Sequence, residues 1–238
     1  MSSIESQIRQ NVDRVTDRIN AACSRVGRDA ASVQLVAVTK YADLEWVQAL
    51  RTLGITDLGE SRPQQLLERA ELLDAEIRWH LIGHLQRNKA RKVLPMVAFT
   101  HSVDSLKLLT AIDRLVEELG ISAQVLLEVN VSTEKSKDGF DVQELLSGWD
   151  TVLNCQHVEV SGLMTMAPRS ENIEDARPVF RELQNLRNQL RDRSNGKLPL
   201  QELSMGMSGD FEIAIEEGAT IVRLGSVLYN GLTRREQT

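Results

Sequence analysis

The chain has 238 residues, 42% of them hydrophobic and 26% charged, which suits one globular α/β domain with a sizeable core. Its net charge of −6 at pH 7 argues against nucleic acid or a membrane surface as partner, since neither polyanion attracts a net-acidic protein without a local basic patch. The polar opening Met1-Ser-Ser-Ile-Glu5 carries no secretory signal and no apolar run reaches transmembrane length, so a cytoplasmic protein is expected, with Cys23 and Cys155 as buried free thiols.

Ile4, Ile8, Val12, Val15, Ile19, Ala22 and Val26 recur at steps of three and four, predicting a long amphipathic helix stopped at Gly27. The valine-rich run 33–38 suits a strand buried on both faces. From there the patterns alternate. Strands are predicted over 56–58, 77–82, 97–101, 123–131, 158–163, 200–204 and 221–224. Helices are predicted over 44–53, 63–73, 86–93, 105–119, 142–153, 173–191 and 211–217, with a polar surface loop at 192–197. Eight strands, nearly all followed by helices, predict an α/β fold: a single TIM (β/α)8 barrel over 1–238 with an extra N-terminal helix. A doubly wound open sheet would usually carry a glycine fingerprint after its first strand, and Thr39-Lys-Tyr-Ala-Asp43 has none.

A barrel places its site at the C-terminal ends of its strands. Two of those ends, 204–208 and 223–226, finish in small residues whose amides a ligand can approach, and the first runs toward a helix start. Together they would form a phosphate cup; otherwise they are two ordinary strand-to-helix turns. Lys40, directly after Val-Ala-Val-Thr39, would stand in the barrel mouth. Desolvation favours the neutral amine that attacks an aldehyde; the alternative is a lysine reaching solvent or pairing with Glu60. A closed barrel makes strand eight the neighbour of strand one. A Schiff-base lysine beside a phosphate cup suits pyridoxal 5'-phosphate (PLP) as cofactor. Arg223 could then reach the pyridine nitrogen and, keeping its own proton, leave that nitrogen unprotonated.

Other residues point less sharply. His80 and His84 could bind a metal if helical, but they straddle a strand end and lack a third ligand; a hydrogen-bonded structural role is expected, and no metal site. Trp46, Trp79 and Trp149 are scattered and suit the core. Arg87, Lys89, Arg91 and Lys92 suit a solvated helix face. Met164, Met166, Met205 and Met207 gather at strand ends, where they could pack on a ring or fill the barrel top.

Several segments in one order carry a family resemblance. They are Val36-Ala-Val-Thr-Lys40, Leu58-Gly-Glu60, Trp79-His-Leu-Ile-Gly83, Leu85-Gln-Arg-Asn-Lys-Ala-Arg91, Val129-Asn-Val131, Ser136-Lys-Asp-Gly139, Gly162-Leu-Met164, Leu203-Ser-Met-Gly-Met-Ser208 and Ala219-Thr-Ile-Val-Arg-Leu-Gly225. Across most of its length the sequence resembles the YggS/PROSC family of PLP-binding homeostasis proteins, single-domain barrels similar to the N-terminal domain of alanine racemase. The resemblance implies that Lys40 holds PLP as a Schiff base, that Ser208, Gly225 and Ser226 hold the phosphate, and that Arg223 faces the pyridine nitrogen. Met207 is taken as a further cofactor contact. The chain departs from the family pattern at Ser61, where Asn is common, and at Tyr41-Ala-Asp43, where a Thr-Lys-Pro stretch often follows the PLP lysine.

The implied function is to carry or buffer PLP without strong turnover, as a monomer, with PLP-dependent apo-enzymes as candidate recipients. A racemase or decarboxylase is the competing reading. It needs a second acid/base opposite the lysine, which the resembling racemases take from an additional β-domain; this chain ends at Thr238, and Tyr41 and Tyr229, its only tyrosines, are no obvious replacement. A phosphate-sugar or nucleotide-binding barrel would leave Lys40 unexplained.

Overall fold

The structure, a computed structural model, describes residues 3–73, 76–132, 138–168 and 170–233. Eight parallel strands close into a barrel in sequence order. They are β1 (Gln34–Val38), β2 (Asp57–Glu60), β3 (Arg78–Leu81), β4 (Phe99–Val103), β5 (Gln124–Glu128), β6 (Glu159–Met164), β7 (Glu202–Ser204) and β8 (Ile221–Leu224). β8 closes on β1 with Val36 opposite Arg223 and Ala37 opposite Leu224.

Around the barrel run α1 (Ser3–Arg25), α2 (Leu44–Thr52), α3 (Pro63–Leu72), α4 (Arg87–Val93), α5 (Leu106–Leu119), α6 (Val142–Ser147), α7 (Trp149–Leu153), α8 (Ala176–Arg193) and α9 (Phe211–Glu216). Alternation along each strand sorts the side chains. Ala37, Leu58, Trp79, Leu81 and Leu127 point outward into a large apolar layer shared with the helices. Val36, Phe99, Leu126, Met164 and Ile221 form a second, smaller cluster inside the barrel.

The first helix is an addition to the eight units, and it has a positioning task. Ile8, Val15, Ile19 and Ala22 are buried along its stripe, each of the larger ones contributing about 1.5–3 kcal/mol. The helix lies against α2, α9 and the 3-10 turn Ser226–Tyr229. Asn11, a polar residue within that stripe, is buried because its amide donates to Leu228 O at 3.0 Å and Asn230 O at 2.9 Å. It thereby pins the turn that follows β8.

Element bounds differ from the sequence reading in places that have physical causes. The predicted helix over 142–153 is two helices that meet at Gly148, where a Cβ would lie 2.4 Å from Leu106 Cδ1. β4 begins at Phe99 rather than Val97, because the 3-10 turn Leu94–Met96 extends α4 first; the strand therefore runs on through His101 and Ser102. β7 begins at Glu202, since Leu200 is buried with φ +43 and cannot continue a strand backward. Cys23 is buried and free, but Cys155 is free and only half-buried, just past the end of α7.

Candidate cofactor-binding site

A cavity of about 630 Å³ opens at the C-terminal ends of the strands. Lys40, Met207, Ser208, Arg223, Gly225 and Ser226, the six residues singled out in the sequence, all line it. Ser61, Tyr41, Trp46, Ile82, Met166 and Tyr229 line it too.

Lys40 is presented by a clamped backbone. Thr39 N donates to Gly59 O at 2.9 Å, and Thr39 Oγ1 donates to Glu60 Oε1 at 2.7 Å. Arg69, reaching in from α3, donates to Thr39 O, Ala42 O and Glu60 Oε1 at 2.6–2.8 Å. Gln65 Nε2 donates to Lys40 O at 3.3 Å. Glu60 is fully buried, and burial pushes its carboxyl above the usual range despite the opposing Thr39 and Arg69. The partner of Glu60 is thus Arg69, not Lys40, whose Nζ lies 5.2 Å from the centre of the exposed Tyr41 ring.

The cup is built from two loops. Gly206 takes φ +92, and a Cβ there would meet Ala214 Cβ at 2.6 Å, so only glycine makes the turn. Asp210 Oδ1 accepts from Met207 N at 2.6 Å, which fixes the loop before α9. Ser208 Oγ reaches across to accept from Gly225 N at 3.2 Å. Among the described residues, no hydrogen bond is donated by the amides of Gly209 and Ser226, so both remain available for an anion.

Arg223 forms the floor and is 4% exposed. It donates to Ser204 Oγ at 2.5 Å and to Thr165 O at 3.0 Å. Burial lowers its pKa to about 10, against the pull of Glu128 and Asp210, so it stays charged at neutral pH. Beneath it His101 Nδ1 lies 2.8 Å from Ser204 Oγ, His101 Nε2 lies 2.9 Å from His80 Nδ1, and His80 Nε2 lies 3.0 Å from Asp57 Oδ1. Complete burial, with His80 and Arg223 adding to it, holds His101 well below the usual histidine range.

Residues 8–233 match the family model described as alanine racemase, N-terminal domain. Over 221 residues the chain is 41% identical to the pyridoxal phosphate homeostasis protein of Aquifex aeolicus, covering 92% of this chain and 96% of that one. The chain belongs to the alanine racemase N-terminal domain family and, within it, to the pyridoxal phosphate homeostasis proteins. Among solved structures it resembles PipY of Synechococcus elongatus with PLP bound, at 33% identity and TM-score 0.81, covering 91% of this chain and all of that one. An alanine racemase of Clostridium difficile shares the fold at 15% identity and TM-score 0.70, with 58% of its own length covered.

In this homeostasis-protein family member, some residues fall elsewhere than the sequence placed them. Trp46 is core, as expected, but it also lines the cavity, stacking on Tyr229 at 5.4 Å between ring centres. Tyr229 sits one 3-10 turn after Ser226, and that spacing was the available signal. Met207 and Met166 line the cavity, whereas Met164 and Met205 are buried in the packing. His80 is a hydrogen-bonded interior residue. His84 pairs with Asp104 at 3.0 Å near the surface, and neither histidine lines the cavity. No metal-binding cluster occurs among the described residues. Ser136 and Lys137, within a family segment, lie outside the described residues. Arg87, Lys89, Arg91 and Lys92 are exposed, as a solvated helix face requires.

Proposed function

We propose that this protein binds PLP in the barrel mouth and holds it reversibly through Lys40, carrying or buffering the cofactor rather than turning over a substrate. One observation carries the reading. A primary amine, a pair of unengaged amides and a buried guanidinium line one cavity from the adjacent strands β1, β8 and β7. PLP supplies an aldehyde that an amine takes up reversibly, together with a phosphate and a pyridine nitrogen as handles. Lys40 Nζ meets the aldehyde. Ser208 and the amides at Gly209 and Ser226 receive the phosphate, with Gly225, its own amide held by Ser208, letting it approach the backbone. Arg223 donates toward the nitrogen and, keeping its proton, leaves that nitrogen unprotonated. Met207 and the Trp46–Tyr229 stack supply apolar walls.

The non-catalytic part of the reading rests on the family name and on the lining. The titratable side chains among the described lining residues are Lys40, Tyr41, Arg223 and Tyr229. The Tyr229 hydroxyl is buried without a partner among the described residues, and burial pushes it far above its ordinary value. Tyr41 is exposed beside Lys40. Neither supplies an acid/base on the face opposite the lysine. The reading takes the chain as a single-domain cytoplasmic monomer, with PLP-dependent apo-enzymes as recipients. No helix among the described residues is long and apolar enough to cross a membrane.

Borohydride reduction of PLP-treated protein followed by peptide mass mapping tests the attachment. A pyridoxyl label on Lys40, absent from Lys40→Ala, is the expected result. A label on a different lysine, or none, would overturn it.

A further inference from the structure

Among the described residues, Arg223 is a buried cation whose two hydrogen bonds go to a hydroxyl and a carbonyl, not to a carboxylate. The hydroxyl continues into a file of contacts that descends the barrel interior: Arg223, Ser204, His101, His80, Asp57. Ser204, His80 and His101 are fully buried. Asp57 opens β2, at the opposite end of the barrel from the cavity, and its side chain is 19% exposed.

The two ends fix the direction of the whole file. A guanidinium only donates and a carboxylate only accepts. Ser204 Oγ accepts from Arg223, so its own proton is free to point at His101 Nδ1. His101 Nδ1 is then an acceptor and its proton sits on Nε2, aimed at His80 Nδ1. By the same step His80 carries its proton on Nε2 and donates it to Asp57. Every atom in the file is satisfied with both rings neutral, and each bond polarises the next. Reversing the file would place a charge on His80 and leave the Ser204 hydroxyl proton without an acceptor in it.

We propose that Ser204, His101, His80 and Asp57 are positioning residues for Arg223, a one-way file that fixes the guanidinium against the cofactor's ring nitrogen and so tightens the hold on PLP. This rests on the reading of the mouth as the PLP site. It also assigns a task to two histidines that touch no part of the cavity.

The test has two readings. In cofactor-free protein, 15N NMR of the imidazoles should show both His80 and His101 as neutral Nε2–H tautomers at pH 7.5. Either ring as the Nδ1–H tautomer, or charged, overturns the file. With PLP, Ser204→Ala should raise the dissociation constant severalfold, up to about tenfold, because an unanchored guanidinium must then be ordered on binding. It should also move the 15N signal of PLP labelled at its ring nitrogen, and Ser204→Thr should restore both. Asp57→Leu, remote from the cavity, should shift the same ring signal in the same direction. In well-folded Ser204→Ala and Asp57→Leu, wild-type affinity and an unmoved ring signal would overturn the positioning role, whatever the loss of thermal stability. Failure of the underlying reading is separately visible: wild-type protein would then take no borohydride label at Lys40.

Discussion

Lys40 and Arg223 face one cavity from adjacent strands, the lysine just past the end of β1 and the arginine paired with Val36 one step down β8. The arrangement follows from barrel closure, because only closure makes the last strand the neighbour of the first. A ligand that reaches both residues is held at two points of a rigid sheet. The loops after β7 and β8 supply the third point, and α1 steadies the latter loop through Asn11.

The cup is the first place to test. Ser208→Ala with Ser226→Ala should weaken PLP retention by about 1.5–3 kcal/mol for each lost bond to the phosphate. Ser208 also joins the two loops through Gly225 N, so the pair should lower the unfolding free energy by about 1 kcal/mol. Pyridoxal, which lacks the phosphate, should bind poorly to wild type. Equal rates of PLP loss from both proteins on dialysis would show that the cup lies elsewhere.

The support under Lys40 should dominate local stability. Arg69→Met would leave Glu60 buried and uncompensated, at a cost of about 3–5 kcal/mol in urea unfolding. Glu60→Gln should cost far less, since no carboxylate is left buried and uncompensated and an amide oxygen still accepts from Thr39 and Arg69. If the two variants were equally destabilised, the clamp would not work as described.

Periodicity carried the barrel because each strand is a short apolar run set between amphipathic helices, and small residues at strand ends marked the cup. The histidine file was hidden for the opposite reason. Thr100, His101 and Ser102 are polar, and a polar run looks like a strand end, yet all three are buried. His101 and Ser102 are hydrogen-bonded there. Asn11 is hidden similarly, as one polar residue in an apolar stripe whose partners lie more than 200 residues away. Trp46 and Tyr229 share a cavity wall through three-dimensional closure, and only the one-turn spacing of Tyr229 from Ser226 records it locally.

Glu128 should make stability depend on pH. It is 6% exposed, and burial pushes its carboxyl up to about 7, with Arg223 pulling the other way. An unfolded glutamate titrates near 4.3. Between those values the folded state binds the proton more tightly, so this group's contribution falls as pH rises through the window and is flat above it. The full change is on the order of 3 kcal/mol. Glu128→Gln should abolish that part of the slope and be the more stable protein at pH 8. Parallel stability curves for the two proteins between pH 5 and 8 would place the carboxylate in a more solvated setting.

The last prediction concerns turnover. PLP-loaded protein incubated with L-amino acids in deuterated water should exchange the α-proton far more slowly than ordinary enzyme turnover, about 1 s⁻¹ or faster. Arg223, with its pKa near 10, is protonated at neutral pH; facing the ring nitrogen as proposed, it would leave that nitrogen without a proton and weaken the ring as an electron sink. That alone does not exclude proton exchange. The heavier consideration is the lack of a second acid/base among the described lining residues. Tyr229 buries its hydroxyl and Tyr41 stands beside the lysine, and each missing acid or base forfeits typically about 10²–10⁴ in rate. The exposed Tyr41 and Met166 at the rim also leave the mouth open to water, where electrostatic stabilisation is weak. The same openness suits uptake and release of a reactive aldehyde. Exchange followed by NMR at about 1 s⁻¹ or more, and lost in Lys40→Ala, would make the protein an enzyme.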